Sequence, residues 1–121
     1  MKILVVDDSA AMRMIVKKTL RDAGYGDHEV IEASDGAEGL EQVRSQNPDL
    51  VLSDWNMPNM TGPEFLAALN EDGLVPKFGF VTTEATGPMK ETAEELGARF
   101  LIAKPFTARS FNDALDPILS V

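Results

Sequence analysis

The sequence predicts a doubly wound α/β domain in which five parallel strands form an open sheet with five helices on its two faces. Three observations predict it. Apolar runs of strand length recur five times, most without polar alternation, as in strands covered on both faces. Between them the apolar spacing changes to the three-and-four rhythm of amphipathic helices. The 121 residues then divide into five such units of about 24 residues, which leaves loops of a few residues. Closure into an eight-stranded barrel would need about twice the chain.

The strands are expected at Ile3–Val6, Val30–Ile31, Leu50–Leu52, Phe78–Val81 and Phe100–Ala103. The first helix places Met12, Ile15, Val16, Thr19, Leu20 and Ala23 on one face, with Arg13, Lys17, Lys18 and Arg21 largely on the other. The second, marked by Ala37, Leu40 and Val43, is entered through Ser34 or Asp35. Phe65, Leu66 and Leu69 mark the third, for which Thr61 and Glu64 make a capping box. The fourth carries Met89, Ala93 and Leu96; Pro88 suits its first turn and Gly97 ends it. The fifth carries Phe111, Leu115 and Ile118, and Pro117 is expected to kink or fray its end by removing a backbone donor.

Composition narrows the function. One hydrophobic core is usual at this length, so residues 1–121 are expected to form a single domain. The absence of cysteine excludes disulfides, iron–sulfur clusters and thiolate zinc sites, and a lone histidine, His28, disfavours an imidazole site. Any metal must be held by oxygen. A net charge of -9 argues against nucleic-acid binding, which draws its affinity from Lys and Arg. The first apolar run is short and ends in two acids, so neither a signal peptide nor a membrane span is expected and a cytoplasmic location is the natural reading.

In open α/β sheets the site forms beyond the carboxyl ends of the strands. Strand one ends in Asp7-Asp8, strand three in Asp54, strand four in Thr82-Thr83 and strand five in Lys104-Pro105. If strands one and three are neighbours, three carboxylates converge. A like-charge pair at 4 Å costs about 4 kcal/mol at an effective dielectric of ~20, so a cation is called for. A hard divalent ion such as Mg²⁺ suits an incomplete cage of carboxylates, water and a substrate phosphate. Lys104 would add a second cation, bridging carboxylate or phosphate oxygens. Taken singly, Ser9 or Asp8 could be a helix cap, Thr82 an ordinary strand residue and Lys104 a solvated lysine; their joint place on one sheet edge marks a site.

The segments Val5-Val6-Asp7-Asp8-Ser9, Asp54-Trp55-Asn56-Met57-Pro58-Asn59-Met60-Thr61-Gly62, Val81-Thr82-Thr83-Glu84-Ala85 and Lys104-Pro105-Phe106 resemble the receiver domain of two-component response regulators, in particular stand-alone chemotaxis receivers of the CheY type. The likeness spans essentially the whole chain. It implies the flavodoxin-like strand order 2-1-3-4-5, an order brought by the family and not by the residue pattern. It further implies that Asp54 is the phosphoacceptor, that Asp7, Asp8, Asp54 and the Asn56 backbone carbonyl hold Mg²⁺, and that Thr82 and Lys104 contact the phosphoryl group. Asn56 and Glu84 are the implied rate-tuning positions, and the Lys104–Pro105 bond is implied to be cis. The implied partners are a histidine kinase or phosphotransfer protein and a downstream protein met through helix 4, strand 5 and helix 5. The chain ends at helix five, so no output domain is expected, and nothing calls for more than a monomer.

One position departs from the family. Leu101 stands where Tyr or Phe is usual, three residues before the lysine. Leucine can fill a pocket vacated by Thr82 but offers no ring or hydroxyl to a partner, and Phe100 points to the opposite face. Helix four is acidic at Glu91, Glu94 and Glu95, which would discourage an acidic partner. Residues 1–26 hold five basic and three acidic groups, leaving a net of -11 elsewhere; the stripe Arg13, Lys17 and Arg21 would suit an acidic donor or form a solvated helix face. A phosphate sink without an effector stays open beside the signalling switch. A dehalogenase-type phosphatase would need a second Asp two residues after the first, and a flavodoxin would need a Thr/Ser/Gly loop where two acids stand.

Overall fold

The computed structural model describes every residue except Val75, Ser120 and Val121. The elements alternate as expected: β1 Lys2–Val6, α1 Ala10–Leu20, β2 Glu29–Ala33, α2 Gly36–Gln46, β3 Leu50–Ser53, α3 Gly62–Glu71, β4 Lys77–Thr82, α4 Gly87–Glu95, β5 Phe100–Ala103 and α5 Ala108–Leu119. All strand pairs are parallel, in the order β2-β1-β3-β4-β5. The central strands are buried on both faces, which is why their sequences lack alternation, whereas the edge strand β2 is half-exposed.

Two cores result. Leu4, Val6, Val51, Phe65, Leu69, Phe78 and Phe80 fill the face covered by α2, α3 and α4, and Ile3, Val5, Leu50, Leu52, Val16, Leu20, Phe111 and Leu115 fill the face covered by α1 and α5. The caps follow the sequence. Asp35 rather than Ser34 caps α2, and Thr61 with Glu64 forms the expected box on α3. Thr86 caps α4, which ends before Gly97 at φ 92°. Thr107 and Ser110 cap α5 reciprocally, each hydroxyl accepting the other's backbone N–H at 3.1 Å.

One local expectation is corrected, and two helix ends take a form of their own. Ile15, expected on the core face of α1, is 48% exposed. Val16, Leu20 and Ala23 already cover the available width between β1 and α5, so a residue one step around the helix falls on its rim. A π-helical turn, Arg21–Tyr25, follows α1 and carries Ala23, with Gly24 at φ 97°. Finally, α5 runs through Pro117 to Leu119. Proline removes one intrahelical bond, and so near the last turn that single loss does not end the helix.

The expectation that Phe100 points away from Leu101 holds: the first packs on the α1/α5 core and the second on the α2–α4 core. The Phe100 ring lies across Gly79, its register partner on β4, where any Cβ would overlap ring carbons. Gly79→Ala should therefore destabilise the fold by about 2–3 kcal/mol in urea unfolding, as overpacked cores do, and Phe100→Leu in the same chain should restore most of the loss. Unchanged stability of Gly79→Ala would refute that packing role.

Candidate functional site at the carboxyl edge of the sheet

The register brings the acids together. Val6 pairs with both Ala33 and Ser53, and each neighbouring ladder is extended by one bond: Asp7 N–H to the Ala33 carbonyl (3.1 Å) and Asp54 N–H to the Val6 carbonyl (2.9 Å). Asp7 and Asp54 thus leave adjacent strands at the same height. Asp7, Asp8 and Asp54 each offer a carboxylate oxygen within 4.8 Å of the others. Lys104 enters in the same way, its N–H bonded to the Thr82 carbonyl at 2.7 Å. Its Nζ reaches across to Asp7 Oδ2 (3.2 Å) and Asp54 Oδ2 (3.6 Å). The pair is nearly dry, with side chains 11% and 6% exposed for Lys104 and Asp7.

The remaining oxygens are held by backbone. Asp7 Oδ1 accepts the Ser9 N–H at 2.9 Å, and Asp54 Oδ1 accepts the Trp55 N–H at 2.7 Å. Both carboxylates are therefore oriented before any ligand arrives. Burial pushes the Asp54 carboxyl above the ordinary Asp range; Lys104 opposes that shift, while the neighbouring Asp7 and Asp8 charges add to it. Asp8 is exposed and leaves the cluster open to solvent on one side.

The other expected residues lie around this edge. Thr82 is fully buried at the end of β4, where its hydroxyl accepts the Glu84 N–H at 3.4 Å. Asn56 and Glu84 are exposed on the β3–α3 and β4–α4 loops. Leu101 is half-buried, two residues before Ala103, the register partner of Thr82. Residues two apart on a strand share a face, so Thr82, Ala103 and Leu101 face the same side of the sheet. The Lys104–Pro105 peptide is cis, as the resemblance implied.

Two supports were not legible from the sequence. The Arg13 guanidinium donates to the Asp7 carbonyl at 2.6 Å and to Glu32 of β2 at 2.9 Å, and Lys17 joins the same carboxylate at 3.2 Å. Two-thirds of the basic stripe on α1 is thus paired within the fold. Burial opposes ionisation of Glu32, but Arg13 and Lys17 outweigh it and hold its carboxyl below the usual range. Ser53 is also fully buried beneath the site, bonding the Asp54 carbonyl at 2.9 Å. A stripe at helical spacing and a serine in a strand carry no local signal for either contact.

Whether a divalent cation fits follows from the donors. The set is purely of hard carboxylate oxygens, and three acids against one lysine leave an uncompensated negative charge suited to a dication. Among the described residues, no helix is long and apolar enough to cross a membrane.

Comparison with known proteins gives the same picture. The chemotaxis protein CheY of Pseudomonas aeruginosa is 38% identical over 120 residues, covering 98% of this chain and 95% of its own. The chemotaxis protein CheY-3 of Vibrio cholerae is 38% identical over 120 residues, covering 98% of this chain and 91% of its own. The crystallised chemotaxis protein CheY4 of Vibrio cholerae superposes with a TM-score of 0.85 at 36% identity over 98% of both chains. The response regulator receiver domain model matches residues 3–116, and with an acid cluster and lysine at the edge of a 2-1-3-4-5 sheet, this chain belongs to the response regulator receiver family.

Proposed function

We propose that the chain is a phosphorylation-dependent signalling switch in which Asp54 accepts a phosphoryl group from a phosphohistidine of a kinase or phosphotransfer protein. The observation that carries this reading is the oriented, partly buried Asp54 carboxylate between Asp7 and Lys104. An Asp54 oxygen would attack phosphorus in line as the phosphorus–nitrogen bond to the donor imidazole breaks, leaving an acyl phosphate while the departing ring nitrogen takes a proton from water to become neutral imidazole. Lys104 would meet the phosphoryl oxygens. Asp7, Asp8, Asp54 and the Asn56 carbonyl would hold Mg²⁺, which when bound supplies further charge neutralisation there. Asn56 and Glu84, exposed on the loops that follow β3 and β4, would tune the rate at which water later cleaves the acyl phosphate. The chain thus promotes its own phosphorylation and dephosphorylation without acting on a separate substrate.

The switch would run through Thr82. A hydrogen bond to the new oxygens draws its hydroxyl toward Asp54, and Leu101, on the same face, fills the space released. Leu101 sits between two surface grooves, one of about 150 Å³ toward Lys90, Glu94 and Arg99 of the α4–β5 junction, the other of about 540 Å³ toward Ser110 and Asp113 of α5. A repacked Leu101 would reshape both, which supports an effector on the α4–β5–α5 face. The relatives are chemotaxis proteins, and near-complete mutual coverage supports a role in chemotaxis signalling. Leucine in place of an aromatic favours a second reading, a phosphate sink; capture of a partner only by the phosphorylated chain would decide for the switch.

Trp55 tests the whole reading. Its backbone N–H donates to Asp54, and its ring packs on Phe80 at 4.8 Å between ring centroids. Its fluorescence should change on adding Mg²⁺ and again on adding acetyl phosphate. Absence of phosphoryl uptake from both a small donor and a kinase would overturn the proposal.

A further inference from the structure

The loop that begins at Asp54 is fastened at its tip to a different element of the fold. Between β3 and α3 it is pinned by the buried Met57 and closed by the Gly62 N–H on the Trp55 carbonyl at 2.8 Å. At the tip, Asn59 takes a left-handed conformation, φ 66°, and its amide donates to Asp35 Oδ2 at 2.8 Å. Asp35 is the N-cap of α2, and its Oδ1 accepts the Glu38 N–H at 2.8 Å. A single carboxylate therefore caps a helix with one oxygen and holds the β3–α3 loop with the other. The two loops also touch directly, since a Cβ on Gly36 would lie 2.8 Å from the Met60 carbonyl oxygen. Asn56 lies between the Asp54 anchor and the Asn59 latch, with Pro58 stiffening the step between them.

We infer that Asp35 is a positioning residue for the phosphoryl site: acting through Asn59, it holds the β3–α3 loop so that Asn56 presents its carbonyl to the cation and its side chain to the acyl phosphate. This rests on the function proposed above. Groups that orient a metal's ligands without touching the metal are commonly worth about tenfold or more in affinity. The Glu38 N–H and then the Asn59 amide hold the Asp35 carboxyl below its usual range, so the latch is ionised at neutral pH.

The test reverses the polarity of the bond. Asp35→Asn keeps a good N-cap but, with the Asn59 amide turned over, leaves only a neutral amide–amide bond where a charge-assisted one stood, and Asn59→Asp sets carboxylate against carboxylate. Asn59→Gly keeps the left-handed backbone and removes only the amide. Each single variant should weaken Mg²⁺ binding, read by Trp55 fluorescence, by about threefold to tenfold and alter the phosphoryl lifetime by a similar factor, with melting temperatures near wild type. The double variant Asp35→Asn/Asn59→Asp lets an amide donate to a carboxylate again and should restore both readouts. Wild-type Mg²⁺ affinity and lifetime in all three single variants, or no rescue in a double variant of wild-type melting temperature, would overturn the inference alone. A wild-type chain that bound no Mg²⁺ and took up no phosphoryl group would instead overturn the function beneath it.

Discussion

Asp54→Asn is expected to abolish phosphoryl uptake, by at least about a thousandfold in incorporation from acetyl phosphate, while making the protein more stable. The amide can still accept the Trp55 N–H through its oxygen, so the local geometry survives, but no anionic oxygen is left to attack phosphorus. The gain in stability follows from linkage. Burial raises the Asp54 carboxyl in the folded state, so the folded chain binds its proton more tightly than the unfolded chain does. Below the unfolded value of 3.8 both states are protonated and Asp54 costs nothing. As pH rises through the folded value the cost appears, and at neutral pH it is fully present. Asp54→Asn should therefore melt a few degrees higher than wild type at pH 7, with the gap closing toward pH 3. Phosphoryl uptake by the wild type should fall on acidification through that raised value, because a protonated carboxyl is a poor nucleophile. A variant less stable than wild type at pH 7 and equally stable at pH 3 would contradict the assignment of strain to this carboxylate.

Lys104→Met should have the larger effect on folding. Lys104 and Asp7 are both nearly buried, and removing one partner of such a pair leaves an uncompensated charge, a loss of about 3–5 kcal/mol in dry sites. The exposed Asp8 side lets water in, so about 2–3 kcal/mol is expected here, measured by urea unfolding without divalent ions. Mg²⁺ should return much of it, since ligand at a hundred times its dissociation constant contributes about 2.7 kcal/mol. Asp7→Asn in the same chain should return stability without any metal. Apparent Mg²⁺ affinity should rise in Lys104→Met, because a competing positive charge has gone, while the second Trp55 response, to acetyl phosphate, is lost. Wild-type stability of Lys104→Met in EDTA would show that the lysine is not the counter-ion of this cluster.

Much of the fold was legible because the signals are local. Thr61 and Glu64, three residues apart, form a capping box in whatever tertiary setting they occur, and the bare apolar runs of β1, β3 and β4 announce strands covered on both faces. The Asp-Asp, Asp and Lys-Pro endings pointed to one sheet edge for the same reason. What escaped was cross-element. Ile15 obeys the helical period, yet is half-exposed because the space against β1 and α5 is already taken. Arg13 and Lys17 look like a solvated stripe, yet they serve Glu32 and the Asp7 carbonyl. Nothing near Asp35 shows that its second oxygen is committed to a loop 24 residues away.

The sequence by itself determined the alternation of strands and helices, the capping box of α3, the oxygen-only chemistry open to a chain without cysteine, and the acids and lysine available at the strand ends, since each depends on residue types or on residues within a turn or two of one another. Only the tertiary structure decided which ends stand side by side. The order β2-β1-β3-β4-β5 sets Asp7 beside Asp54 and brings Lys104 across to both. That order rests on packing two helical layers against a twisted sheet, a balance of long-range burial that no local spacing records.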